Sequence, residues 1–97
     1  MELLDYIPTG AENAIRTGAL LQASGLSSER ALRQAIHRLR EEGHPICSST
    51  EHPAGYFLAA DKQEAARFIR SMESRRRAIG RAIQAAKKYL ASSENGR

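Results

Sequence analysis

Tryptophan and valine are absent from this sequence, and phenylalanine and tyrosine together supply only five of its 97 residues. Sixteen of the apolar residues are alanine, which leaves 24 larger apolar side chains. A chain of this size buries roughly 60–65% of its unfolded surface, so the expected core is small and a partner subunit would help it. A deep catalytic cleft of several hundred Å³ is hard to fit in so small a body. The single cysteine, Cys47, excludes an intrachain disulfide framework and a multi-cysteine zinc cage. No apolar run approaches the length that spans a bilayer, so no membrane role is expected. Met1–Asp5 is neither basic nor extensively apolar, so no secretion signal is expected, and the chain reads as soluble and cytoplasmic. No paired carboxylates, glycine-rich phosphate loop or Ser/His/Asp set stands out. The reading is therefore of a non-enzyme that needs no cofactor.

What is present is basic charge, unevenly placed. The net charge is +4, yet residues 1–26 carry −2, residues 27–43 carry +1, residues 44–60 carry −1 and residues 61–97 carry +6. The basic charge falls on two segments with helical periodicity. A basic stripe on a helix is an electrostatic footprint for nucleic acid or another anionic partner, and it is also a common solvated face.

Periodicity divides the chain into a domain over residues 1–60, a long helix over 61–91 and a polar tail over 92–97. Residues 2–7 read as a short helix carrying Leu3, Leu4 and Ile7, stopped by Pro8-Thr9-Gly10. Asn13–Arg16 reads as a brief extended segment with Ile15. Thr17 is placed to cap a helix over residues 18–24, closed by Gly25. Ser27 or Ser28 caps the next helix, which runs to Glu42 with Leu32, Ile36 and Leu39 at i, i+4 and i+7 and Gly43 as its stop. Pro45–Ser49 and Gly55–Ala59 then read as the strands of an antiparallel hairpin. Asp61, with Glu64 three residues on, opens the long helix as a capping box. The expected fold class is mainly α with one small antiparallel β-hairpin and a long carboxy-terminal helix.

In that order, residues 15–59 resemble the winged helix-turn-helix family. The matching pieces are Thr17-Gly18-Ala19-Leu20-Leu21 and the Gly25-Leu26-Ser27 turn, then Leu32, Ile36, Leu39 and Gly43, and finally Pro45-Ile46 with Gly55-Tyr56-Phe57-Leu58 as the wing. The run Leu39-Arg40-x2-Gly43-x-Pro45-Ile46 ahead of a Gly-Tyr strand is similar to small bacterial and phage winged-helix proteins and to the amino-terminal domain of biotin-ligase repressors. The resemblance implies sequence-specific binding of double-stranded DNA, with transcriptional regulation as the natural consequence. The helix at 28–42 would then lie in the major groove.

With Leu32 at 0°, the helical period puts Arg30, Gln34 and His37 on the far face and Arg33 and Arg38 on its flanks. Arginine can hold guanine and glutamine can hold adenine through paired hydrogen bonds, so Arg30, Arg33, Gln34 and His37 are candidates for base readout. Ser27, Ser28 and Arg38 are candidates for phosphate contact. The plainer alternative is that Arg33 and Arg40 pair with Glu29, Glu41 or Glu42 on a solvated face. The family often carries Arg or Lys at the wing tip, whereas Thr50-Glu51-His52-Pro53-Ala54 has an acid and neither. That departure favours a rival reading, in which the same fold docks on an acidic partner protein in a replication or phage assembly.

Ala65, Ile69, Met72, Arg76, Ile79, Ile83, Ala86 and Leu90 are spaced alternately four and three apart. This is a heptad stripe with one polar position, and a homodimer seated on Met72, Ile79, Ile83, Ala86 and Leu90 is expected. The alternative is a helix broken near Ser74 or Gly80 and folded back on its own domain, with its first half, around Phe68 and Met72, packed there in either case. Its outer face, with Arg67, Arg70, Arg75–Arg77, Arg81, Lys87 and Lys88, would follow phosphates or be solvated. His44, Cys47 and His52 are close in sequence but not at a metal-ligand spacing. They read as a buried thiol and surface histidines, with no metal.

Overall fold

A computed structural model of the chain, in which residues 2–94 are described, opens with two 3-10 turns, Leu3–Tyr6 and Ala11–Asn13. Helix α1 spans Thr17–Ser24 and α2 spans Glu29–Glu41. Strands β1 (Ile46–Ser49) and β2 (Gly55–Leu58) form an antiparallel hairpin, and α3 runs Lys62–Glu94. The architecture is mainly helical with one small antiparallel sheet and a long carboxy-terminal helix.

Local chemistry sets these boundaries. Gly25 closes α1 in the left-handed conformation at φ 75°, donating its N–H to the Leu21 carbonyl. Ser28 Oγ accepts from the Ala31 amide at 3.1 Å and caps α2. Thr17 is not a cap: it lies inside α1, whose N-cap is Arg16, extended and without a side-chain bond. The expected helix at residues 2–7 is only a single 3-10 turn, which Ile7 leaves in an extended conformation ahead of Pro8.

The core is small. Ile7, Leu20, Leu32, Ile36 and Ile46 form its buried centre, with Leu3, Leu4, Leu39 and Tyr56 among the half-buried side chains around it. Strands β1 and β2 pair with Ile46 opposite Leu58 and Cys47 opposite Phe57. The outer edge of β2 is covered by the amino-terminal segment. Ile15 and Tyr56 exchange both backbone hydrogen bonds at 2.9 Å, Gly10 N–H reaches the Leu58 carbonyl, and Leu58 N–H reaches that of Pro8. An edge paired in this way is closed to other chains. The approach at Gly55 requires glycine, since a Cβ there would stand 1.9 Å from the Ile15 carbonyl oxygen and φ is +131°.

The first turn of α3 is tied to the domain by one side chain. Asp61 Oδ1 accepts from the Glu64 amide at 2.8 Å, as the capping pattern predicts. Glu64 does not reach back to the cap residue itself. Its Oε1 accepts from Ala60 N–H and its Oε2 from Ala11 N–H, each at 3.0 Å, and the second bond crosses 53 positions of sequence. It fastens α3 to the amino-terminal turn.

Beyond Glu73 the described side chains of α3 are all exposed, including Ile79 at 56%, Ile83 at 49% and Leu90 at 58%. The helix passes Ser74 and Gly80 without a break and does not fold back. It also continues past the expected end at residue 91, through Glu94. The rest of the expected tail, residues 95–97, lies outside the described residues. The accessible surface is 7328 Å². A compact protein of this mass exposes about 5,500 Å². The radius of gyration is likewise large, 17.5 Å, against about 12.5 Å for a compact chain of this length. The projecting half of α3 accounts for both. Among the described residues, no helix is long and apolar enough to cross a membrane.

Candidate nucleic-acid interface

Helix α2 has two unlike faces. Leu32 and Ile36 are buried, and Arg30, Arg33, Gln34, His37 and Arg38 stand exposed on the other side, around one open, shallow hollow that Glu41 completes. The amphipathic period that buries the first pair exposes the second set. Ser27 and Ser28 are exposed at the amino end of the same helix. Ser28 Oγ accepts a hydrogen bond as the cap, which leaves its hydroxyl hydrogen available to a phosphate oxygen. The first amides of any helix have no partner within it and suit an anion. The structure thus gathers all seven candidates on the exposed side and amino end of one helix.

One ion pair and one histidine–carboxylate contact cross this face. Arg33 lies 4.0 Å from Glu29 and His37 lies 3.5 Å from Glu41, each one helical turn apart and solvent-exposed. Exposed pairs at this spacing are worth about 0.3–0.5 kcal/mol. That is small enough to be exchanged for a phosphate or a base edge. The three arginines outnumber the two carboxylates on this face.

Arg40 departs from the expectation. It is not paired with a glutamate on a solvated face. Its Nε donates to the Ile46 carbonyl at 2.9 Å, and its guanidinium lies 5.0 Å above the centre of the Phe68 ring. Its Nη2 is buried with no hydrogen-bond partner. Burial pulls its pKa below the usual arginine value, with Arg75 acting in the same direction and Tyr56 and Cys47 against it. Arg40 therefore joins α2, β1 and α3, and it holds the hairpin beside the helix that carries the candidate face.

The hairpin tip, Thr50–Ala54, presents Glu51 and His52 to solvent and carries no lysine or arginine. Between the hairpin and α3 lies a cleft of about 430 Å³, lined by Ser49, Arg67, Phe68, Ser71 and Arg75 together with Glu12, Glu51 and Glu64. Its charges are mixed in sign, and the Glu64 carboxylate is occupied by its two amides. Cys47 is buried, and burial pushes its thiol above the usual value. A thiol so placed stays protonated at neutral pH and is a poor nucleophile. His44 is half-buried and lies 4.0 Å from Glu42, while His52 is exposed. Among the described residues, no three His, Cys, Asp or Glu side chains come together in a way that could hold a metal ion.

Of the expected self-association residues, Ile79, Ile83, Ala86 and Leu90 are exposed along α3. Met72 is half-buried at the point where the helix leaves the domain. The chain matches no protein-family model, no curated protein and no solved structure.

Proposed function

We propose that this chain is a winged helix-turn-helix protein that binds double-stranded DNA through α2 and acts as a homodimer joined by α3, in the manner of a bacterial or phage transcriptional regulator. The observation that carries this reading is the exposed face of α2. Three arginines, a glutamine and a histidine stand on one helix, opposite its buried stripe and one short turn after α1. Such a helix fits the major groove. In this reading Arg30, Arg33, Gln34 and His37 meet base edges. Ser27, Ser28 and Arg38 hold phosphates, and the hairpin flanks them with little direct contact because its tip is acidic. The protein works in the cytoplasm, where the DNA is.

The test is binding to a mixed-sequence duplex by fluorescence anisotropy across a salt series. Each phosphate neutralised by an arginine adds about −0.9 to the slope of log affinity against log salt, so the two Arg38 side chains of a dimer give a slope of about −2 or steeper. Absence of binding at about 50 mM salt by folded protein refutes the reading, because non-specific affinity is strongest at low salt. One observation favours a second reading, docking on a protein partner: Glu51 at the hairpin tip, where a DNA-contacting wing gains from a cation.

A further inference from the structure

The projecting half of α3 presents a stripe in which Arg76, Ile79, Ile83, Ala86 and Leu90 follow one another at the coiled-coil spacing, and every one of them is exposed. The chain shows about 1,800 Å² more surface than a compact protein of its mass, and a standard protein interface takes about 800 Å² from each partner. The excess is large enough to supply such an interface.

We infer that a second copy of this chain covers the stripe in antiparallel orientation, with Ile79 opposite the partner's Leu90 and Ile83 opposite the partner's Ala86. This rests on the self-association part of the functional reading above and adds its direction and register.

Two features favour this direction over a parallel one. In a parallel pair each residue of the stripe meets its own copy, so two Arg76 guanidinium groups would face each other in the seam. The antiparallel register moves Arg76 beyond the apolar block, where it keeps its ion pair with Glu73. A parallel pair also stacks Ala86 on Ala86, which leaves that layer underfilled. The antiparallel pair sets Ile83 against the partner's Ala86, so no layer holds two alanines, and Ile79 with Leu90 fills the outer layers. In this register Tyr89, which is 76% exposed, lies over the partner's Ala82, and Lys87 lies over the partner's Gly80. Twenty residues, Ser74–Ser93, contain six basic residues and no acid, so no nearby carboxylate within this stretch would offset two Arg76 side chains brought together in the seam. At 1.5 Å per residue, the arrangement places the two domains about 50 Å apart along the paired helices.

The experiment uses the full chain with Ile79→Cys or Leu90→Cys, one of the two variants carrying a mass tag. Both positions are exposed, and native Cys47, 1% exposed, stays silent. Each variant is oxidised mildly alone and as an equal mixture, and its mass is followed by light scattering and a non-reducing gel. The expected result is a dimer by light scattering in every sample, with a disulfide-linked tagged–untagged pair in the mixture only. In this register identical positions lie about 16 Å apart along the axis, too far for a disulfide. Cross-linking of each variant with itself overturns the proposal in favour of a parallel pair. A dimer that cross-links in no sample overturns the register. A monomer by light scattering removes self-association itself, and the anisotropy titration then judges DNA binding by the single chain separately.

Discussion

Replacing Glu64 with alanine removes a side chain that ties α3 to the amino-terminal turn. Its carboxylate accepts from Ala11 N–H, part-buried, and from Ala60 N–H, exposed, each at 3.0 Å. Losing the first leaves a shielded donor unpaired, at a cost of about 1–3 kcal/mol. The second amide can turn to water, so its loss contributes little. The carboxylate also sits in the first turn of α3, where a negative charge adds about 0.3–1 kcal/mol. The total is about 1.3–4 kcal/mol, which for a domain of this size lowers Tm by about 5–30 °C. Glu64→Gln keeps one carbonyl acceptor but loses the charge, and it should fall between wild type and Glu64→Ala. Thermal melts by circular dichroism measure the shift. Hydrogen exchange at the Ala11 amide separates this cause from a general loosening, since that amide should lose protection first. A Tm within about 2 °C of wild type, with Ala11 still protected, would refute the assignment of this bond as the fastening of α3.

Four further outcomes follow from the same geometry. Gly55→Ala brings a Cβ to 1.9 Å from the Ile15 carbonyl oxygen and should break the Ile15–Tyr56 pair, lowering stability by roughly 3 kcal/mol in urea unfolding. The Arg33→Ala/Gln34→Ala double variant should melt within about 0.5 kcal/mol of wild type, because both positions are exposed, while losing preference among duplex sequences in a selection assay. Ile79→Glu/Ile83→Glu should sediment as a monomer; an unchanged mass would place the self-association surface elsewhere. The Cys47 thiol is raised above its ordinary value of 9.0 by burial, so the folded state favours the protonated form. Its contribution is fully present below pH 9.0 and is lost as pH rises through the higher folded value. Cys47→Ala should therefore flatten the fall in stability on the alkaline side, and iodoacetamide should label native Cys47 only as the protein unfolds.

Much of this organisation is legible in the residue order because it depends on short-range periodicity. Leu32, Ile36 and Leu39 announce the buried face of α2, and the same 3.6-residue turn places Arg30, Gln34 and His37 outside. Gly25, Ser28 and Asp61 mark helix ends by local chemistry that acts over a few residues. Arg40 was not legible. It lies within about 20° of Arg33 around the helix, so the pattern gives both the same solvated reading. What separates them is the hairpin, which covers only the carboxy-terminal end of α2 and lends Arg40 a carbonyl from Ile46 and a ring from Phe68. The bond from Glu64 to Ala11 was hidden for a similar reason. The capping pattern predicts a partner three residues back, and the fold supplies a better-shielded amide 53 positions away. Thr17 failed as a cap because the chain turns helical one residue earlier than the threonine suggests. The candidate face of α2 was legible in full because it is the complement of a core stripe.

The unbroken course of α3 from Lys62 through Glu94 makes the chain sensitive to length in a periodic way. Each residue inserted between Glu73 and Ile79 would turn the distal stripe by about 100° relative to α2 and advance it by about 1.5 Å. One added residue would swing Ile79, Ile83 and Leu90 well out of their present line relative to the domain. Seven would bring them back to within about 20° while moving them about 10 Å further out. Insertions in this stretch should therefore be tolerated in near-whole heptads and rejected between them. Phase, more than the identity of the added residues, would decide the outcome.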